Sequence, residues 1–183
     1  MADLSVLGQL AEALSNGTVR VVDLTQTLSE ETPVIELPSE FGQCAPFSRT
    51  EISRYDERGV AWYWSNFTLG EHTGTHFDAP VHWVTGKDLP DNTVDALDPA
   101  NLIAPVIVID CSREAAENPD FLLDVPQIEA WEAEHGRIPA GSWVLFRTDW
   151  SKRSPEDYTN RAEDGAHTPG AAPAGLRLLV EGR

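Results

Sequence analysis

Pro105-Val-Ile-Val-Ile-Asp110 and Ser142-Trp-Val-Leu-Phe-Arg-Thr148 are two apolar runs that lack the alternation of a strand with one wet face. Such runs mark strands buried on both faces, as in a parallel sheet. Between them Asp124 stands where a helix N-cap is needed and Pro126 falls in the first turn. Ile128, Trp131 and His135 follow at helical spacing, and Gly136 supplies the stop. Strand, helix and strand in this order predict a parallel βαβ unit, and with it an α/β fold.

Upstream, Leu4, Leu7, Leu10, Ala11 and Leu14 recur at helical spacing before Asn16-Gly17. They predict a short amphipathic helix ahead of a first strand, Val19 to Leu24. Thr27 to Gly42 holds two prolines and two acidic clusters and reads as a long loop. Phe47 to Tyr55 and Val60 to Leu69 are β-rich around Asp56-Glu57-Arg58-Gly59, a hairpin pattern. A polar, Asp-rich loop runs from Lys87 to Asp98, and Pro173 to Arg183 begins another helix.

The chain has 183 residues, a length suited to one domain, and its 41% apolar content suffices for a core. Thirteen Lys+Arg against 30 Asp+Glu give a net charge of −17. That balance argues against nucleic acid, which needs clustered cations, and against docking on an anionic membrane. The first 16 residues lack a basic n-region, and no apolar run approaches the ~20 residues of a spanning helix, so a cytoplasmic protein is expected. Cys44 and Cys111 read as reduced, buried thiols.

The chemistry concentrates in His72-Thr-Gly-Thr-His76-Phe-Asp78-Ala-Pro-Val-His82, where three of the five histidines and an aspartate fall within eleven residues. Two imidazoles and a carboxylate form a usual ligand set for a catalytic divalent ion. A further imidazole nearby can move protons, because histidine titrates near neutral pH. No regular element serves such a site. On a helix Asp78 lies about 120° around the axis from His72. On a strand six residues span roughly 20 Å, too far for ligands of one ion. The segment must bend, and Gly74 and Pro80 are the residues that permit it.

HTGTHFDAPVH resembles the HxGTHxDxPxH signature of the metal-dependent cyclase family, the kynurenine formamidase-like hydrolases. The likeness extends from VVDLTQTL near residue 21 through LGEHTGTHFDAPVHWVTGKD, LIAPVIVIDCS, AWEAEHG and RTDWSKR to HTPG at residue 167. The flanking text is closest to the branch that opens isatin. The resemblance implies an α/β, cyclase-like mixed β-barrel or sheet with flanking helices, of the swivelling β/β/α type. It implies Mn²⁺, with Zn²⁺ as alternative, on His72, His76 and Asp78, and His82 as the proton carrier beside a metal-activated water. Phe41, Trp83 and Leu37 resemble pocket residues suited to a small aromatic cyclic amide, and a homodimer is expected. Relatives continue well past residue 183, so the resemblance also implies a single domain, 1–183, lacking its C-terminal part.

Arylformamide hydrolysis is the alternative within enzymes, and an inactive truncated remnant the alternative outside them. A two-His-one-carboxylate oxygenase fits less well, given the compact HxxxHxD spacing and the trailing PxH. Trp62 and Trp64 share one strand face and suit sheet packing as well as a pocket. Glu71 suits either a hydrogen bond to a ligand imidazole or open solvent. Arg147 and Asp149 suggest an ion pair, His135 a helix-end charge, and Asp23 a turn. His167 matches the family text without an assignable role.

Overall fold

The structure is a computed structural model that describes residues 5–85 and 87–182. Leu4 and Arg183, both included in the expected terminal helices, lie outside the described residues. Helix α1, Val6–Ser15, starts where the Ser5 hydroxyl accepts from the Gly8 N–H and stops at Asn16-Gly17, where Gly17 has φ +77°. An antiparallel hairpin follows, β1 Ser48–Asp56 and β2 Gly59–Thr68, with Asp56 opposite Gly59. Arg58 closes its turn by pairing with Asp56 and Glu51.

The predicted βαβ unit forms. Strand β3, Val106–Asp110, continues through α2, Ser112–Glu117, the short β4, Leu122–Leu123, and α3, Val125–His135, to β5, Trp143–Arg147. β3 and β5 pair in parallel, Val106 opposite Trp143 and Asp110 opposite Arg147. Helix α3 is defined locally: Asp124 and Gln127 form a reciprocal capping box, Pro126 occupies the first turn, and Gly136 ends the helix at φ +89°. Beyond a small helix α4, Pro155–Tyr158, come the two-residue strands β6 Arg161–Ala162, β7 Gly165–Ala166 and β8 Gly170–Ala171, then α5, Pro173–Gly182. β6 pairs antiparallel with β7, and β8 pairs in parallel with β4.

The core lies in the second half. Ile109, Cys111, Leu123, Ile128 and Ile138 are buried together, with Ile107, Val144, Phe146 and Leu178 against them. Ile128 is fully buried, and its truncation to Ala would cost about 2–5 kcal/mol. Among the described residues no helix is long and apolar enough to cross a membrane.

Three expectations are corrected. Val19 to Leu24 forms no strand. It lies exposed, and nearby polar groups are satisfied within turns, as where the Thr25 N–H donates to Asp23. A β-branched run without a partner strand has nothing to complete its ladder. Strands β3 and β5 are buried on one face, not two: Ile107, Ile109, Val144 and Phe146 face the core while Val106, Val108 and Leu145 stand in solvent. Cys111 is a buried free thiol as expected, but Cys44 is only half-buried. The chain exposes 14015 Å², against roughly 8,700 Å² for a compact monomer of its mass.

Candidate metal centre

Strand β2 delivers the chain to the His-rich segment. Just past it the Gly70 N–H donates to the Ala45 carbonyl at 3.0 Å, and the Thr73 N–H turns back to Gly70 at 3.2 Å. A side chain at Gly70 would meet the Cys44 sulfur, which would have to turn away to admit it. Gly74 then takes φ +67°, and a Cβ there would lie 2.6 Å from a Leu28 methyl. The Thr75 hydroxyl accepts from the Gln26 N–H at 3.0 Å. The N-terminal loop therefore lies against the bend, and Pro80 opens a single 3₁₀ turn, Pro80–His82, on its far side.

This bend brings four side chains together. Nδ1 of His72 lies 2.7 Å from Oδ1 of Asp78, and Nε2 of His76 lies 3.2 Å from the same oxygen. One donor atom each of His72, Asp78 and His82 falls within 4.8 Å of the others, the group of this kind found among the described residues. The His72 ring is 5.1 Å from that of His76 and 4.0 Å from that of His82. Nδ1 of His76 donates to the Gly74 carbonyl at 2.8 Å. A carbonyl can only accept, so Nδ1 carries a proton, and Nε2 is the ring nitrogen that faces Asp78. Partial burial acts to raise the Asp78 carboxyl, but the His72 hydrogen bond and the charges of His72, His82 and His76 hold it below the ordinary carboxylate range.

A carboxylate held below its ordinary range among three imidazoles is a donor set that fits a divalent ion of the Mn²⁺ or Zn²⁺ kind. His82, expected as a proton carrier, thus brings a ring nitrogen within 4.8 Å of donor atoms of His72 and Asp78. Glu71 reaches to 3.6 Å from Nε2 of His72 while remaining largely in solvent.

The expected pocket residues divide. Trp83 is 81% exposed and sets its ring edge-on to His82 at 4.5 Å, beside the cluster. Leu37 and Phe41 are on a separate turn, closed by the Phe41 N–H on the Pro38 carbonyl at 2.9 Å. The Gln43 side chain organises that turn, accepting from the Leu37 N–H and donating to the Pro38 and Phe41 carbonyls. Arg161 of β6 donates to the adjacent Glu36 carbonyl. Trp62 and Trp64 are half exposed on the hairpin.

Other candidates find structural roles. Arg147 pairs with Asp110 at 2.9 Å and with Asp149 at 2.8 Å. Hydrogen bonds from Arg147 and Lys152 pull the Asp149 carboxyl down to about 2. His135 ends α3 against the Trp131 ring. His167 is held between Asp120, at 2.8 Å, and Asp164, at 3.0 Å. Sequence reasoning missed Asn92, a buried side chain that donates to the Val84 carbonyl at 2.7 Å beside the His82 turn. Its signal was no more than an Asn in a polar loop.

The family model described as "Putative cyclase" matches residues 22–183. The chain is 49% identical to an isatin hydrolase of Roseibium aggregatum, across 98% of the chain and 70% of that protein. It is 31% identical to a kynurenine formamidase of Erythrobacter litoralis, across 72% of the chain and 55% of that protein. A crystal structure of an isatin hydrolase bound to the product analogue thioisatinate superposes with a TM-score of 0.90 at 48% identity, covering 99% of this chain and 70% of that one.

Proposed function

The chain belongs to the cyclase family, and from that membership we propose that it is a metal-dependent hydrolase opening a cyclic aromatic amide of the isatin type. The observation that carries the proposal is the convergence of His72, Asp78 and His82 within 4.8 Å, with His76 facing the same carboxylate. The likeness to isatin hydrolases supports the substrate class.

Opening the ring consumes one water. Its hydroxyl bonds to the amide carbon, the C–N bond breaks, its remaining hydrogen passes to nitrogen, and the new carboxylic acid ionises. His72, His76 and Asp78 hold the ion in this reading, Mn²⁺ by preference and Zn²⁺ as alternative, since imidazole and carboxylate donors suit both. The ion supplies Lewis acidity at the carbonyl and acidifies water. His82 carries the proton from water to the ring nitrogen, a step suited to an imidazole because its two ring nitrogens can accept and donate. Trp83 offers a flat apolar wall beside it, and Leu37 and Phe41 are the further substrate contacts in this reading.

The same reading makes the chain one cytoplasmic domain of the swivelling β/β/α type, with its sheet closing into a barrel, and a homodimer. The half-exposed Trp62 and Trp64 and the wetted apolar face of β3 and β5 support self-association. A second reading, arylformamide hydrolysis, is favoured by the likeness to kynurenine formamidase.

The test is metal analysis after reconstitution with Mn²⁺, coupled to loss of isatin absorbance. Uptake of roughly one ion per chain with isatin consumed is the expected result. A chain that takes up no Mn²⁺ or Zn²⁺ overturns the proposal. Hydrolysis of an aryl formamide with isatin untouched moves it to the second reading.

A further inference from the structure

We infer that Asn92 is a positioning residue for the reaction, fixing the turn that presents His82 and Trp83. The inference rests on the proposed role of His82 and deepens it. The turn itself is small: the His82 N–H donates to Ala79 and the Trp83 and Val84 N–H groups to Pro80. Three residues of 3₁₀ helix are weakly held by their own bonds. Asn92 pins this turn at two points. Its backbone carbonyl accepts from the Val81 N–H at 3.0 Å, and its side-chain amide donates to the Val84 carbonyl at 2.7 Å. His82 and Trp83 are the two residues between those points.

Asn92 is 6% exposed in a loop whose neighbours are in solvent, and the chain enters it through Asp91 at φ +53°. A left-handed aspartate costs energy that a plain surface loop does not require. The chemistry of the contact also selects the residue type. Val84 offers a carbonyl, which needs a donor, and an aspartate of the same shape would face it with an acceptor. With the turn fixed, the His82 ring stays 4.0 Å from His72 and 4.5 Å from Trp83.

The test compares the full, Mn²⁺-loaded chain with Asn92→Ala. Metal content should be unchanged, amide exchange across residues 79–85 should rise, and kcat for isatin should fall about 10- to 100-fold, as misplacement of a reacting group does. In a His82→Ala background the same substitution should cause no further loss, because groups acting through one another are not additive. Unchanged turnover overturns the inference, and so does an equal fold loss in both backgrounds. If Asn92→Ala does not fold, Asn92→Asp, which keeps the shape but faces the Val84 carbonyl with an acceptor, carries the same comparison. If the unmodified chain leaves isatin untouched, the proposed function has failed by itself. The exchange measurement then decides for Asn92, and unchanged exchange across 79–85 overturns its role.

Discussion

The ring of His82 lies 4.0 Å from that of His72, tilted by 42°, although ten residues and a bend separate them. Proximity of this kind gives two variants opposite signatures. His76→Ala removes the ring nitrogen facing Asp78 and should abolish metal uptake. His82→Ala should keep the ion while turnover falls about 10²- to 10⁴-fold. Metal content measured beside kcat separates the two, and loss of metal in the His82 variant would make His82 a ligand.

Gly74 has φ +67° and would place a Cβ 2.6 Å from Leu28. Gly74→Ala should destabilise the bend by about 1–2 kcal/mol from backbone handedness alone. It should also weaken metal binding, because the bend sets His72, His76 and Asp78. Thermal unfolding and a metal titration check both, and an unchanged metal affinity would show that the bend tolerates a side chain.

His167 predicts a pH effect outside the centre. Hydrogen bonds that the ring donates to Asp164 and then to Asp120 raise the imidazole above its ordinary value. A raised pKa in the folded state stabilises the clasp fully below the unfolded value, roughly 6.5. The contribution declines as pH rises from there and is gone above the folded pKa. Proteolysis within residues 159–169 should accelerate over that rise, and His167→Ala should flatten the profile. A profile that keeps its slope in the variant assigns the effect elsewhere.

The Gln43 amide bonds three backbone groups of the Leu37–Phe41 turn. If that turn forms a wall of the pocket, Gln43→Ala should raise KM for isatin several-fold and leave kcat within about twofold, the pattern of lost uniform binding. A fall in kcat at constant KM would remove the turn from substrate binding.

What the sequence disclosed is what neighbouring residues decide. The α3 helix was legible because Asp124, Pro126, Gln127 and Gly136 set its ends within a dozen positions. The bend at Gly74 and Pro80 followed from the reach of ligands around one ion, and the hairpin from its turn. The failures concern partners far away in the chain. Val19 to Leu24 has strand composition but no strand beside it, and β3 has an apolar outer face that composition reads as buried. His167 finds Asp120 across 47 residues, and Asn92 acts through contacts that no spacing encodes.

The contacts of Leu28 with Gly74 and of Gln26 with Thr75 also set an order of events. The segment that shapes the histidine bend precedes it by almost fifty residues, so it has left the ribosome before His72 is made. Maturation of the site can then proceed in the direction of synthesis, since the segment that lies against the bend is made before the histidines. A circular permutant that moved residues 5–32 to the other end would reverse that sequence, and slow acquisition of metal during refolding or translation would be its mark.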